Sequence, residues 1–113
     1  MRRLLLLLLL LGGCSKGPQA DLQHIGQARS SAAEWALVNE QASKDKLTDI
    51  YVEAMRKSLR QQIETAKSAL TVPDSAYARE MAALLATPAD APPQELRSHV
   101  ERLKQIEDGL ESA

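Results

Sequence analysis

Hydrophobicity along the chain is least even at its start, where Met1-Arg2-Arg3 is followed by eight consecutive leucines, Leu4 to Leu11. At about 1.5 Å per residue a helix made of that run spans roughly 12 Å, under half of a hydrocarbon core. The run is too short for a transmembrane helix, but it fits the apolar core of an export signal behind a short positive segment. Beyond Ala20 the pattern changes to helical spacing. Leu22, Ile25, Ala28, Ala32 and Ala36 recur at three- and four-residue intervals, which predicts a first helix from about Asp21 to Ala42. Gly26 leaves open whether that helix starts before or after it. Trp35, Leu37 and Val38 widen the apolar arc, while Arg29 and Asn39 intrude on it. A broad, alanine-rich arc belongs to a helix packed on more than one side.

Ser43-Lys44-Asp45-Lys46 reads as a turn, and the second helix has the clearest boundary. Thr48 suits an N-cap, Asp49 sits at the positive helix end, and Leu47 with Val52 matches the hydrophobic staple. Leu47, Tyr51, Ala54, Met55, Leu59, Ile63, Ala66 and Leu70 form one side of it. Asp49, Glu53, Arg56, Lys57, Arg60, Glu64 and Lys67 fill the other, with Glu53–Lys57 and Arg60–Glu64 at ion-pair spacing. Val72-Pro73-Asp74 ends this helix, and Asp74 or Ser75 caps a short third one reaching about Ala86, with Tyr77, Met81, Leu84 and Leu85 on its apolar edge. A proline-bearing connector from Thr87 to Pro93 precedes a last helix from about Pro93 to Leu110. Leu96, Val100, Leu103, Ile106 and Leu110 mark its inner face. The expected fold is all-α: a small bundle of three to four helices, a hairpin plus a shorter C-terminal pair.

Composition supports this reading. Phe is absent, and there are one Trp and two Tyr among 113 residues. Scarce aromatic residues argue for helices packed through alanine and leucine. The charge balance bears on partners. Arg2 and Arg3 leave with an export signal, so 14 basic residues fall to 12 against 15 acidic ones, a net of −3. That balance gives no electrostatic case for nucleic acid or for a polybasic membrane patch. The lone cysteine, Cys14, excludes an internal disulfide.

Leu11-Gly12-Gly13-Cys14 resembles the lipobox of bacterial lipoprotein signals: an aliphatic residue, two small residues, then cysteine. The resemblance covers only the start of the chain; no family is suggested by the helical body. It implies a signal peptide over 1–13, cleavage between Gly13 and Cys14, and acylation (palmitate among the chains) of the Cys14 thiol and new amino group. The small residues let the extended backbone enter a narrow peptidase site, and two or three acyl chains exceed what stable anchoring requires. Ser15, where aspartate would hold a lipoprotein in the inner membrane, implies sorting to the outer membrane, facing the periplasm, in an organism with two membranes. Residues 14–20 form the lipidated tether, with Gly17 and Pro18 opposing helix formation. The helical domain then covers 21–113.

Candidate chemistry is sparse. His24 lies near the tether and His99 on the apolar side of the last helix, where a satisfied boundary residue is the expected role; no spacing suits a metal site. With Cys14 consumed by lipid, no Cys/His nucleophile remains, and no serine elbow or phosphate loop is present. Trp35 is expected as a core anchor, with a partner-binding patch as the alternative. Met55 and Met81 read as core fillers. No enzyme activity and no cofactor are expected. The favoured function is an envelope lipoprotein whose non-catalytic helical domain holds an envelope protein partner close to the bilayer. A small carrier or sensor of apolar ligands is the second reading. A cell-wall or lipid hydrolase comes third, and would need Glu34, Glu40, His24 or His99 to gather in a cleft.

Overall fold

The computed structural model describes residues 16–113, so the leucine run, Gly13, Cys14 and Ser15 lie outside the described residues. Four helices follow one another: α1 (Leu22–Ser43), α2 (Asp49–Ser68), α3 (Ala76–Ala86) and α4 (Pro93–Glu111). No strand occurs among the described residues. The expected all-helical bundle is therefore what forms, and each boundary falls within two residues of the pattern, except the start of α2's final turn region. There α2 ends at Ser68, before Leu70.

Cross-helix bonds fix the chain directions. Ser31 Oγ donates to Gln62 Oε1 and Arg56 Nε to Asn39 Oδ1, which sets α1 and α2 antiparallel. Arg29 pairs with Glu107 and Glu40 with Arg97, which sets α4 antiparallel to α1 on another side. The 11-residue α3 closes the bundle by bridging α2 and α4. Helix α1 is thus the shared element, covered by both long neighbours, and this is why its apolar arc is broad. Ile25, Ala28, Ala32, Trp35 and Ala36 are all fully buried. The alanines let backbones approach, while Leu59, Ile63, Met81, Leu84, Leu96 and Leu103 fill the remaining space from the other three helices.

Local chemistry terminates each helix. Thr48 accepts from the Tyr51 amide and Ser75 from the Ala78 amide, so Ser75 rather than Asp74 caps α3; Asp74 pairs with Arg79 instead. At the end of α1 the Lys46 amide donates to the Gln41 carbonyl and the Asp45 amide to that of Ala42, a Schellman pair. That motif needs a left-handed residue, and Asp45 occupies it at φ 55°. Helix α1 runs straight through Gly26, so the late start is not taken. Glu107 fills the space at that glycine: a β-carbon there would lie 3.0 Å from its Oε2.

Two features of α2 differ from expectation. Tyr51 sits at the rim of the apolar face and is about half exposed (49%), and Ala54 faces solvent. Neither Glu53–Lys57 nor Arg60–Glu64 forms an ion pair; Arg60 turns inward over the Trp35 ring instead. The linker also differs in extent. Gly17 donates its amide to Thr71 Oγ1 at 3.0 Å, and Gln19 Nε2 donates to the Leu110 carbonyl at 2.8 Å. Residues 17–20 are therefore docked as a turn on the body, and Gly17, at φ 105°, is where only glycine suits the backbone.

Candidate functional site: a basic groove beside α2

The site begins with two polar residues on the buried arc of α1. Trp35 Nε1 donates to the Ala89 carbonyl at 2.8 Å. Asn39 Nδ2 donates to the carbonyls of Ala89, at 3.1 Å, and Ala91, at 2.8 Å. Together they pin the connector between α3 and α4 against the bundle. Proline-rich backbone with carbonyls turned inward would otherwise be left unsatisfied in a buried position. Asn39 then uses its remaining acceptor, Oδ1, for Arg56 Nε at 2.7 Å. Arg60, one turn further along α2, lays its guanidinium over the Trp35 ring, 5.5 Å from the centroid, and donates from Nη2 to the Leu85 carbonyl at 3.1 Å. A stacked arginine gains from the ring's negative face, and the gain grows as the pair loses water.

Between α2 and the pinned connector lies an open groove of about 450 Å³, lined by Glu53, Arg56, Lys57, Arg60 and Ala89. Its lining carries three cations and one carboxylate, a net of +2. Among the described residues none of the three cations forms an ion pair within 4.0 Å. Arg60 Nε is buried without a hydrogen-bond partner. Both guanidiniums are held in place by the protein, so a ligand meets positioned donors rather than mobile side chains.

Two other polar clusters are fully accounted for by the fold. Asp21, wholly buried, accepts from the Thr71 amide (2.8 Å), the Val72 amide (3.1 Å), the Thr71 hydroxyl (2.9 Å) and the Tyr77 hydroxyl (2.7 Å). Thr71 also lies 3.1 Å from the Gly17 carbonyl, but one hydroxyl has one proton, and the nearer carboxylate is the stronger acceptor. Burial works to raise the Asp21 pKa, yet these hydrogen bonds outweigh it and hold the carboxyl below its usual 3.8. Tyr77 is pushed up to about 12 by burial and by the bond to Asp21, which favours its protonated form. This cluster ties the α2–α3 loop to the start of α1. The second cluster joins His99 Nδ1 to Glu80 Oε1 at 2.6 Å, with Arg102 Nε on the same oxygen at 2.7 Å. If Nδ1 gives its proton to Glu80, its 3.2 Å approach to Arg102 Nη2 is a packing contact only.

Trp35 is fully buried, so it takes the core-anchor role and presents no exposed ring as a partner patch. His99 is a satisfied boundary residue, as its spacing indicated. His24 and Glu34 stay on the surface of α1, and Glu40 pairs with Arg97; none of His24, Glu34, Glu40 and His99 bonds to another. Gly13, Cys14 and Ser15 lie outside the described residues. By sequence pattern alone the groove residues belong to a solvated helix face. A signal for them was present: Arg56, Lys57 and Arg60 stand at i, i+1 and i+4 with no acid able to serve all three. No family model, curated protein or solved structure matches the chain.

Proposed function

We propose that the protein is a membrane-anchored envelope lipoprotein, lipidated on Cys14, whose helical body is a non-catalytic interaction domain held close to the bilayer on the periplasmic face of the outer membrane. The observation that carries this reading is the order Arg2-Arg3, leucine run, Gly12-Gly13-Cys14 at the start of the chain. The fold lends it a consistent geometry. With Gly17 already docked on the body, the segment from Cys14 to Lys16 reaches roughly 10 Å at full extension. The body would then sit almost against the headgroups, with the start of α1, the end of α4 and the α2–α3 loop on the membrane side. Helix α1 places Asn39, and the groove beside it, about 27 Å along its axis from Asp21, away from that end. The groove suits a partner met on the side remote from the anchor. Its charged lining is unsuited to an apolar ligand, and this weighs against a lipid carrier.

Metabolic labelling with a clickable palmitate tests the anchor. Wild-type protein should carry the label and lose residues 1–13, whereas Cys14→Ala should be unlabelled and uncleaved. Unlabelled wild-type protein of unprocessed mass would overturn the reading. In intact cells, cross-linking from the groove side of α2 should recover one reproducible envelope protein.

A further inference from the structure

We infer that the groove between α2 and the α3–α4 connector is a binding site for a phosphate monoester, taken either from a soluble phosphorylated compound or from a lipid headgroup. The inference stands on the groove alone and does not depend on the lipid anchor. Charge gives the first argument. Arg56, Lys57, Arg60 and Glu53 sum to +2, and a phosphate monoester near neutral pH carries about −1.5 to −2. A single carboxylate would leave that lining only half neutralised.

Geometry gives the second argument. Arg56 is fixed through Nε on Asn39 Oδ1 (2.7 Å), and Arg60 through Trp35 and the Leu85 carbonyl (3.1 Å). Each is anchored by part of its guanidinium and keeps other N–H groups for a ligand; a planar fork of this kind matches phosphate oxygens. Lys57, exposed and unpaired among the described residues, adds a point charge at the mouth. Glu53, the one acid in the lining, would face the part of the ligand beyond its phosphate and accept from a hydroxyl there. The space, about 450 Å³, exceeds what one phosphate fills and leaves room for such a remainder.

The only tryptophan lies directly beneath Arg60, so it reports occupancy. Full-chain protein in zwitterionic detergent is titrated with glycerol 3-phosphate at constant ionic strength, following the Trp35 indole N–H and arginine Nε–H resonances. A saturable shift is expected. Lys57→Gln, at an exposed position that leaves the bundle intact by circular dichroism, should weaken it roughly tenfold, and Glu53→Gln should tighten it. A parallel arm titrates short-chain phosphatidic acid, whose headgroup is a phosphate monoester, with short-chain phosphatidylcholine as the control, so that the headgroup can reach a groove remote from the anchor. A response there alone, abolished by Lys57→Gln, assigns the headgroup; a response to glycerol 3-phosphate assigns a soluble compound. No response in either arm, an equal shift with sodium chloride, or indifference to Lys57→Gln overturns the proposal.

Discussion

Three polar side chains on the buried side of the molecule, Asp21, Asn39 and Glu107, show how single residues organise this bundle. Each sits where a hydrophobic residue would pack; Asp21 and Asn39 have their hydrogen-bonding capacity met from another part of the chain, and Glu107 pairs with Arg29. Asp21 is the clearest case, a buried carboxylate neutralised by no cation and held by four neutral donors. Removing one donor tests its weight: Tyr77→Phe should destabilise the fold by about 1.5–2 kcal/mol, the lower part of the range for a hydrogen bond to a charged group. Asp21→Ala should cost more, about 2–3 kcal/mol, because buried amides and the Tyr77 hydroxyl lose their acceptor. Urea denaturation of the two variants measures both, and equal stability for Asp21→Ala and wild type would contradict the lock. Trp35 belongs to the same class: its indole N–H on Ala89 makes it a positioning residue for the connector as well as a core filler.

At the scale of elements, the helix ends are local and testable. Asp45 adopts the left-handed conformation that closes the α1 Schellman motif, a position where glycine avoids the clash of a β-carbon. Asp45→Gly should therefore stabilise the protein, by a few tenths to about 1 kcal/mol after the greater freedom of glycine in the unfolded chain is deducted. Thermal melting of the variant reads this directly. Ser75→Ala removes the bond to the Ala78 amide and should cost about 1 kcal/mol, with the loss centred on α3. Amide exchange should show the α3 protections falling before those of α1, since α3 is the shortest helix and packs against only parts of α2 and α4. The caps, the staple at Leu47 and Val52, and the spacing of α4 were legible because each depends on residues within one turn of one another. The missed ion pairs on α2 were not. Arg60 and Glu64 are correctly spaced, but Arg60 turns to Trp35, a partner twenty-five residues away in the chain.

The whole molecule responds to pH through the Asp21–Tyr77 pair. Asp21 titrates lower in the folded than in the unfolded chain, so its contribution is complete above the unfolded value near 3.8 and is lost as pH falls through the folded one. Tyr77 has the opposite sign. Its contribution is complete below the usual 10 and is lost as pH rises towards about 12. The melting temperature should hold a plateau between these limits and fall on both sides. Tyr77→Phe should remove the alkaline fall assigned to this residue and lessen the acid one, because the Tyr77 hydroxyl is one of the donors that hold the Asp21 carboxyl down.

What the sequence alone determined is what local rules control. The hydrophobic period set the helix type and number, caps and prolines set the ends, and Cys14 with its neighbours set the expected address. Which helices meet was decided by tertiary structure. Arg29 and Asn39 looked like blemishes on the apolar arc of α1, yet they are the points where α4, the connector and α2 are fastened to it. The groove arises in the same way. Its cations belong to one helix, but their fixed orientation comes from Trp35, Asn39 and Leu85 on other elements, brought together only when the chain closes. A linear pattern records which residues share a face. The loss of water that turns a face into a site depends on what is packed across from it, and that is a property of the folded molecule.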